Sequence, residues 1–336
     1  MQQRDQQHDE GRYLTPHAPH RALHPGPIAV APTRGEAFVD AVRAGGGDVQ
    51  PLDEHTRGLV WLSQTRSAEL AEIIHKHPGI EWLQLPWAGV DAFSSLLGEL
   101  AAKDEHSRPV VTSAKGAYSE PVAEHALALV LAALREVPQK ARAARWQEQR
   151  TGLSVFGNRV LLVGAGGVAR AFLDLLAAFR CDVTVVRRDP TQHVEGAGSI
   201  VGHDGWRELL PEIDVVVVAA AHTESTTRMW GAAEFAALPE HAVFVNIARG
   251  ALVDIDALVV ALQEGQIAGA GLDVTDPEPL PDGHPIFDIP QCVITSHSAD
   301  TPDMTKPLLA ARVAHNTQAF LSGAALRGVV SVEEGY

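Results

Sequence analysis

The chain reads as an α/β protein made of two doubly wound parallel sheets with a cleft between them. Three observations carry that reading. Short apolar, β-branched runs alternate with amphipathic segments in two successive series. A long helical stretch separates the two series. The second series opens on the glycine-rich turn Gly164-Ala165-Gly166-Gly167-Val168-Ala169, set between a strand-like and a helix-like segment. A length of 336 residues is enough for two separate cores.

In the first series, residues 27–31 read as a strand, 35–44 as a helix, and 49–52 and 58–63 as strands. Residues 67–75 form an amphipathic helix with Leu70, Ile73 and Ile74 on one face, and 81–86 and 110–113 are further strands. From 120 to 150 the pattern is helical, with Pro121 in the first turn and a broad apolar face through Val122, Ala126 and Leu129. The second series places strands at 158–163, 182–186, 215–219, 242–246, 269–274 and 293–295. Its helices lie at 169–179, 206–210, 232–237 and 254–264. A last helix, 307–324, is expected to pack back on the first domain. The expected division is a disordered leader over 1–26, a discontinuous substrate domain over 27–118 plus 303–336, and a dinucleotide-binding domain over 119–302.

Composition narrows the function. A net charge of −15 disfavours nonspecific binding to nucleic acid or to an anionic membrane. No apolar run reaches the ~20 residues of a membrane span. The leader carries His8, His17, His20 and His24 at irregular spacing and has no apolar core, so it reads neither as a signal peptide nor as a metal site. Cys181 and Cys292 lie in separate apolar runs and read as buried thiols. A cytoplasmic protein is the expectation, with no nucleic-acid partner and no membrane partner.

The glycine turn sits in the right context for a dinucleotide. Gly164 permits the tight turn, and Gly166 lets a pyrophosphate approach the backbone. Gly167 and Val168 open the helix whose N-terminus faces the phosphates. Ala169 takes the third, close-packed position. An acidic residue that bonds the ribose belongs about 20 residues on. Arg187 and Arg188 stand there, followed by Asp189. Two guanidinium groups suit a 2′-phosphate, so NADP(H) is the preferred cofactor and NAD(H), with Asp189 on the ribose, the alternative.

Three further segments end predicted strands, where open α/β sheets bind their ligands. They are Asn246-Ile247-Ala248-Arg249-Gly250, Gly271-Leu272-Asp273-Val274 leading to Glu278, and Thr295-Ser296-His297. Arg249 can pair with a substrate carboxylate and polarise the neighbouring carbonyl. His297 can give that oxygen a proton as hydride arrives from a nicotinamide, and Glu278 can orient the ring and favour its charged form. Asp273 can reach the nicotinamide carboxamide. No G-x-S-x-G elbow, P-loop or H-E-x-x-H motif supports a hydrolase.

With these segments in place, the chain resembles the D-isomer-specific 2-hydroxyacid dehydrogenases. The matching residues are Trp82-Leu83-Gln84, Ala88-Gly89-Val90-Asp91, Val122-Ala123-Glu124-His125, Gly164–Ala169, Thr223-Glu224-Ser225-Thr226, Val245–Gly250, Leu272–Pro281 and Thr295–His297. Ser113, Ala221 and Ser296 depart from the family's usual Asn, Pro and Pro. With Trp61 and the Arg187-Arg188 pair, the glyoxylate/hydroxypyruvate reductase branch is the nearest. The resemblance implies two Rossmann-like domains and a catalytic set of Arg249, Glu278 and His297. It implies cofactor contacts from Gly164, Gly166, Gly167, Val168, Arg187, Arg188, Thr223, Ala248 and Asp273. It implies a substrate carboxylate held by Ala88, Gly89, Val90 and Arg249, a small 2-keto or 2-hydroxy acid as the partner, and a homodimer formed through the cofactor domains with 120–150 involved. The alternatives are a dinucleotide-sensing, corepressor-like binding protein of the same fold and a D-3-phosphoglycerate dehydrogenase-like enzyme.

Overall fold

The computed structural model describes Tyr13 and residues 21–335. The chain divides into two compact units, Met1–Tyr118 with Pro302–Tyr336, and Ser119–Thr301.

The first unit holds a parallel sheet of β1 (Ile28–Ala31), β2 (Gly58–Trp61), β3 (Trp82–Gln84) and β4 (Val110–Thr112), side by side in that order. The expected strand at 49–52 shrinks to one bridge between Val49 and Ile28 on the free edge of β1. Pro51 has no N–H with which to continue it. That bridge makes the strand order turn back at β1, as in a doubly wound sheet. The helices α1 (Glu36–Ala44), α2 (Ser67–Lys76) and α3 (Ser94–Ala101) alternate with the strands. Leu59, Trp61, Leu83, Phe93, Leu97 and Leu100 form the core on one face. The chain's last helix, Pro302–Ser322, closes the unit and starts five residues earlier than expected, because Pro302 suits a first helical position. It packs so closely on Gly45 that a Cβ there would lie 2.4 Å from the Ala314 carbonyl oxygen.

The stretch expected to be disordered does not run as far as 26. Arg21 donates to Glu81 Oε2 at 2.5 Å and to the Arg108 carbonyl at 3.1 Å, and His24 Nδ1 lies 2.9 Å from Glu81 Oε1. His8, His17 and His20 lie outside the described residues.

In the second unit the long helix expected over 120–150 ends early. It runs as α4 (Ser119–Leu134), followed by the short α5 (Val137–Ala141). Pro138 cannot donate to the Leu134 carbonyl and its ring would clash with it. Glu136 turns into the left-handed region instead (φ 53°), and the Leu134 carbonyl accepts from Leu153 N at 2.7 Å. The sheet then forms from β5 (Arg159–Val163), β6 (Asp182–Val186), β7 (Ser199–Val201), β8 (Val215–Val218), β9 (Val243–Asn246), β10 (Gly269–Leu272) and β11 (Cys292–Ile294). All pairings are parallel, in the order β11-β10-β9-β8-β5-β6-β7. The short edge strand β7 has no counterpart in the sequence reading. Helices α6 (Gly167–Leu176), α7 (Ala232–Ala237) and α8 (Ile255–Gln263) connect the strands, and Trp206–Glu212 is a 3₁₀ segment interrupted by Pro211. Behind the sheet, Trp206, Trp230, Phe235 and Phe244 pack with ring centroids 5.0–5.9 Å apart. The strand order reverses between β5 and β8, which defines the switch point at their carboxyl ends.

Candidate active site

At the switch point the chain leaves β5 through Gly164, whose φ of +114° favours glycine. A Cβ there would sit 2.5 Å from the Ala219 carbonyl oxygen, so β8 crowds the turn. Gly166 caps α6, and a Cβ built on it would meet nothing within 4 Å. The crowding at Gly164 and the open approach at Gly166 form a cradle that fits a pyrophosphate. Gly167 and Val168 follow as the first turn of α6, whose amides lack partners within the helix. Ala169 is fully buried, as the close packing at the third glycine position demands.

Arg187 and Arg188 follow β6. Arg187 Nη1 donates to the Gln192 carbonyl at 3.2 Å and Nη2 to Gln192 Oε1, so this guanidinium braces its own loop, while Arg188 is exposed. Asp189 accepts from Thr191 N at 3.0 Å, Thr191 Oγ1 at 2.6 Å and Gln192 Nε2 at 2.9 Å. The Thr191 hydroxyl bond, foremost, holds its carboxyl below the usual range. After β8, Thr223 caps a single 3₁₀ turn and bonds Thr226.

The loop after β9 is built around Asn246, which is fully buried. Its Oδ1 accepts from Ala248 N at 3.0 Å and its Nδ2 donates to the Arg249 carbonyl at 2.9 Å. The Arg249 guanidinium donates to the Ala248 carbonyl at 2.6 Å. Gly250 presses against the loop after β10, where a Cβ would lie 1.9 Å from the Thr275 carbonyl carbon. Only glycine lets the two loops meet in this way.

Glu278 and His297 are brought together directly, with Oε1 2.6 Å from Nδ1, both half-exposed. That contact leaves Nε2 as the ring nitrogen open to a substrate. Ser296 and His297 both adopt left-handed backbone, at φ 50° and 52°. Asp273 holds them there. Its carbonyl accepts from His297 N at 2.6 Å, and its side chain accepts from Thr295 Oγ1 at 2.6 Å, Ser298 N at 2.8 Å and Ala299 N at 3.1 Å. His125 on α4 completes the cluster, 2.8 Å from Thr295 Oγ1 and 3.4 Å from Asp273 Oδ1. Burial, the largest influence on Asp273, favours the neutral acid. The bonds from His125, Thr295, Ser298 and Ala299 outweigh it and hold the carboxyl below the usual range. Asp273, read from the sequence as a cofactor contact, is thus 2% exposed and clamps the His297 loop.

The expected substrate loop belongs to the first unit. Ala88 is exposed, Gly89 half-buried and Val90 buried after β3. The Ala88 carbonyl lies 3.4 Å from Ser113 Oγ, and the Trp87 carbonyl accepts from Ala114 N at 3.0 Å. Beneath it Arg312, fully buried, donates to the carbonyls of Ser113 at 2.9 Å and Lys115 at 3.0 Å.

The sequence does not show the turn-building role of Asn246, the packing role of Gly250 or the His125–Asp273–Thr295 cluster. The spacing of Asn246 three residues before Arg249 is the one signal that could have flagged an Asx-type turn. The others depend on contacts between segments far apart in the chain.

Comparison with known proteins now bears on the site. Residues 127–299 match the family model for the NAD-binding domain of D-isomer specific 2-hydroxyacid dehydrogenases. The chain belongs to this family. It is 31% identical to a glyoxylate reductase of Aeropyrum pernix, over 63% of this chain and 67% of the relative. It is 30% identical to a glyoxylate/hydroxypyruvate reductase B of Citrobacter koseri, over 79% of this chain and 82% of the relative. Among solved structures, a D-isomer specific 2-hydroxyacid dehydrogenase of Xanthobacter autotrophicus, in complex with NADPH and MES, superposes with a TM-score of 0.76. That match has 26% identity and covers 93% of this chain and 99% of the other.

Proposed function

We propose that the protein is an NADP(H)-dependent reductase of a small 2-keto acid, of the glyoxylate or hydroxypyruvate kind, giving the D-2-hydroxy acid. The observation that carries the reading is the Glu278–His297 pair, clamped by Asp273 at the carboxyl ends of the strands that follow the dinucleotide cradle. Gly164–Val168 would hold the pyrophosphate of a reduced dinucleotide, whose nicotinamide would supply the hydride. The chain's own residues do the rest. Arg249 pairs with the substrate carboxylate and draws charge from the adjacent carbonyl oxygen. His297 gives that oxygen a proton from Nε2 while Glu278 holds Nδ1 and balances the positive ring. Thr223 and Ala248 are assigned to the cofactor's sugar and nicotinamide end, and Ala88, Gly89 and Val90 to the substrate carboxylate.

The preference for NADP(H) rests on two cationic residues after β6 and on Asp189, whose oxygens are committed to Thr191 and Gln192. The NADPH complex of the Xanthobacter relative supports it. The same reading includes a cytoplasmic homodimer, supported by the apolar side chains exposed at Val137, Trp146, Leu153 and Phe156, with Trp146 91% exposed. Among the described residues no helix is long and apolar enough to cross a membrane.

The test is a panel of 2-keto acids run with NADPH and NADH, with chiral analysis of the product. Turnover of glyoxylate or hydroxypyruvate, with a higher kcat/KM for NADPH, is expected. Absence of turnover with every acid overturns the reading, and equal kcat/KM with both cofactors overturns the preference. Sedimentation velocity checks the dimer.

A further inference from the structure

The loop assigned to the substrate carboxylate hangs on one neighbouring segment of its own unit. Tyr118 Oη donates to the Pro86 carbonyl at 2.9 Å, Ala114 N donates to the Trp87 carbonyl at 3.0 Å, and Ser113 Oγ reaches the Ala88 carbonyl at 3.4 Å. In a trans peptide the carbonyl and the N–H that follows it point in opposite directions. Holding these three carbonyls against residues 113–118 therefore turns the amides of Trp87, Ala88 and Gly89 to the other side, where an anion can meet them. Residues 113–118 are themselves fixed from beneath. Nη1 of the fully buried Arg312 donates to the carbonyls of Ser113 at 2.9 Å and Lys115 at 3.0 Å. Ser113 N donates to the Gly328 carbonyl at 2.8 Å, and Lys115 N donates to Ser113 Oγ at 3.1 Å. A Cβ on Gly328, at φ 70°, would lie 2.4 Å from both Arg312 Nη1 and the Ser113 carbonyl oxygen, so only glycine lets this junction close.

We propose that Arg312 is a positioning residue for the substrate carboxylate: through Ser113 and Lys115 it fixes the segment that aims the amides of residues 87–89. The proposal rests on the reductase reading. Nη1 carries two hydrogens, one for each carbonyl, so a single buried nitrogen sets the spacing of residues 113 and 115. That spacing in turn sets where Ser113 Oγ and Ala114 N stand against the loop. Without the guanidinium the two carbonyls lose their donor, and the segment shifts to find others. The loop then keeps its amides but not their aim, and a carboxylate is held less well in the ground state and the transition state alike. Such a loss raises the KM for the keto acid and leaves kcat nearly intact. The KM for NADPH is unaffected, because the dinucleotide cradle belongs to the other unit.

Two variants of Arg312 form the test. Arg312→Met keeps the length of the side chain and removes its donors, and Arg312→Lys returns donors on a shorter, freely turning ammonium group. The KM for glyoxylate is expected to rise about tenfold in Arg312→Met, the lower size for a hydrogen bond to a charged group, and about threefold in Arg312→Lys. kcat and the KM for NADPH should stay within about twofold of wild type in both. An unchanged KM for glyoxylate in Arg312→Met, with or without a fall in kcat, overturns the proposal. Where Arg312→Met does not fold, an unchanged KM in Arg312→Lys overturns it. A second measurement needs no turnover. Hydrogen exchange of the amides of Ser113, Ala114 and Lys115 is compared between wild type and Arg312→Lys by mass spectrometry. Faster exchange is expected in the variant, and unchanged exchange overturns the brace. An active reductase in which exchange and the glyoxylate KM both stay unchanged refutes this proposal alone. Faster exchange in a protein that reduces no keto acid leaves the brace standing and refutes the reductase reading.

Discussion

Replacing Asp273 by Asn tests whether the site depends on its clamp. Asp273 is 2% exposed and accepts from Thr295 Oγ1, Ser298 N and Ala299 N. Asparagine keeps the shape but turns an N–H group toward one of these donors. Hydrogen bonds to a charged group contribute about 1.5–3 kcal/mol each, and a buried donor left unpaired costs about 1–3 kcal/mol. On the other side, Ser296 and His297 stand in left-handed backbone, which costs about 1–2 kcal/mol per residue. The restraint lost is as large as the strain it opposes, so the loop should leave its conformation and take His297 away from the substrate. A fall in kcat of about 10²-fold is expected, the lower range for losing a general acid. A fall in Tm of roughly 5–10 °C at neutral pH should accompany it. The sign with pH follows from the lowered carboxyl: its contribution is complete above the ordinary carboxylate range and disappears as pH falls through the folded value. The Tm gap between the two proteins should therefore narrow on acidification. Steady-state kinetics with both substrates saturating, and calorimetry from pH 3 to 8, provide the measurements. A variant with unchanged kcat and a raised KM for NADPH alone would refute the clamp and make Asp273 a simple cofactor contact.

His297→Ala should lower kcat by roughly 10²–10⁴-fold with NADPH binding retained, measured by quenching of protein fluorescence. Glu278→Gln loses the charge held 2.6 Å from His297 Nδ1 and should lower kcat by a smaller factor, and normal kcat in both variants would remove both from the mechanism. Gly250→Ala places a Cβ against the Thr275 backbone and should destabilise by roughly 3 kcal/mol or more, read by urea unfolding. Gly166→Ala meets open space, so it should leave Tm intact yet weaken NADPH binding; wild-type affinity there would count against the cradle. Burial pushes the Cys292 thiol up to about 12, so iodoacetamide should leave it unmodified in the folded protein, as intact-mass analysis would show.

Much of this molecule can be read along the chain because its signals are local. Apolar runs with period-2 or helical spacing mark β5, β6, β8, β9 and β10, and Gly164–Ala169 announces its turn by the residues on either side. Arg249, Glu278 and His297 are visible because each stands at the end of such a run. Local signals fail where a partner distant in sequence decides. The helix over 120–150 is periodic, yet Pro138 and the bond from Leu153 to Leu134 end it. The leader looks featureless, yet Glu81 fixes Arg21 and His24. The three-residue β7 is too short to show a period and exists because β6 offers an edge.

By itself the sequence determined the alternation of elements, the dinucleotide turn and the chemical types gathered at the strand ends, since these follow from side-chain pattern and backbone permissiveness within a few residues. The tertiary structure alone decided that Glu278 meets His297 and that Asp273 clamps the loop beneath them. It also decided that Gly250 locks the Arg249 loop to Thr275. Each of these depends on distance and burial between residues brought close by the parallel sheet, and neither quantity is written in local order along the chain.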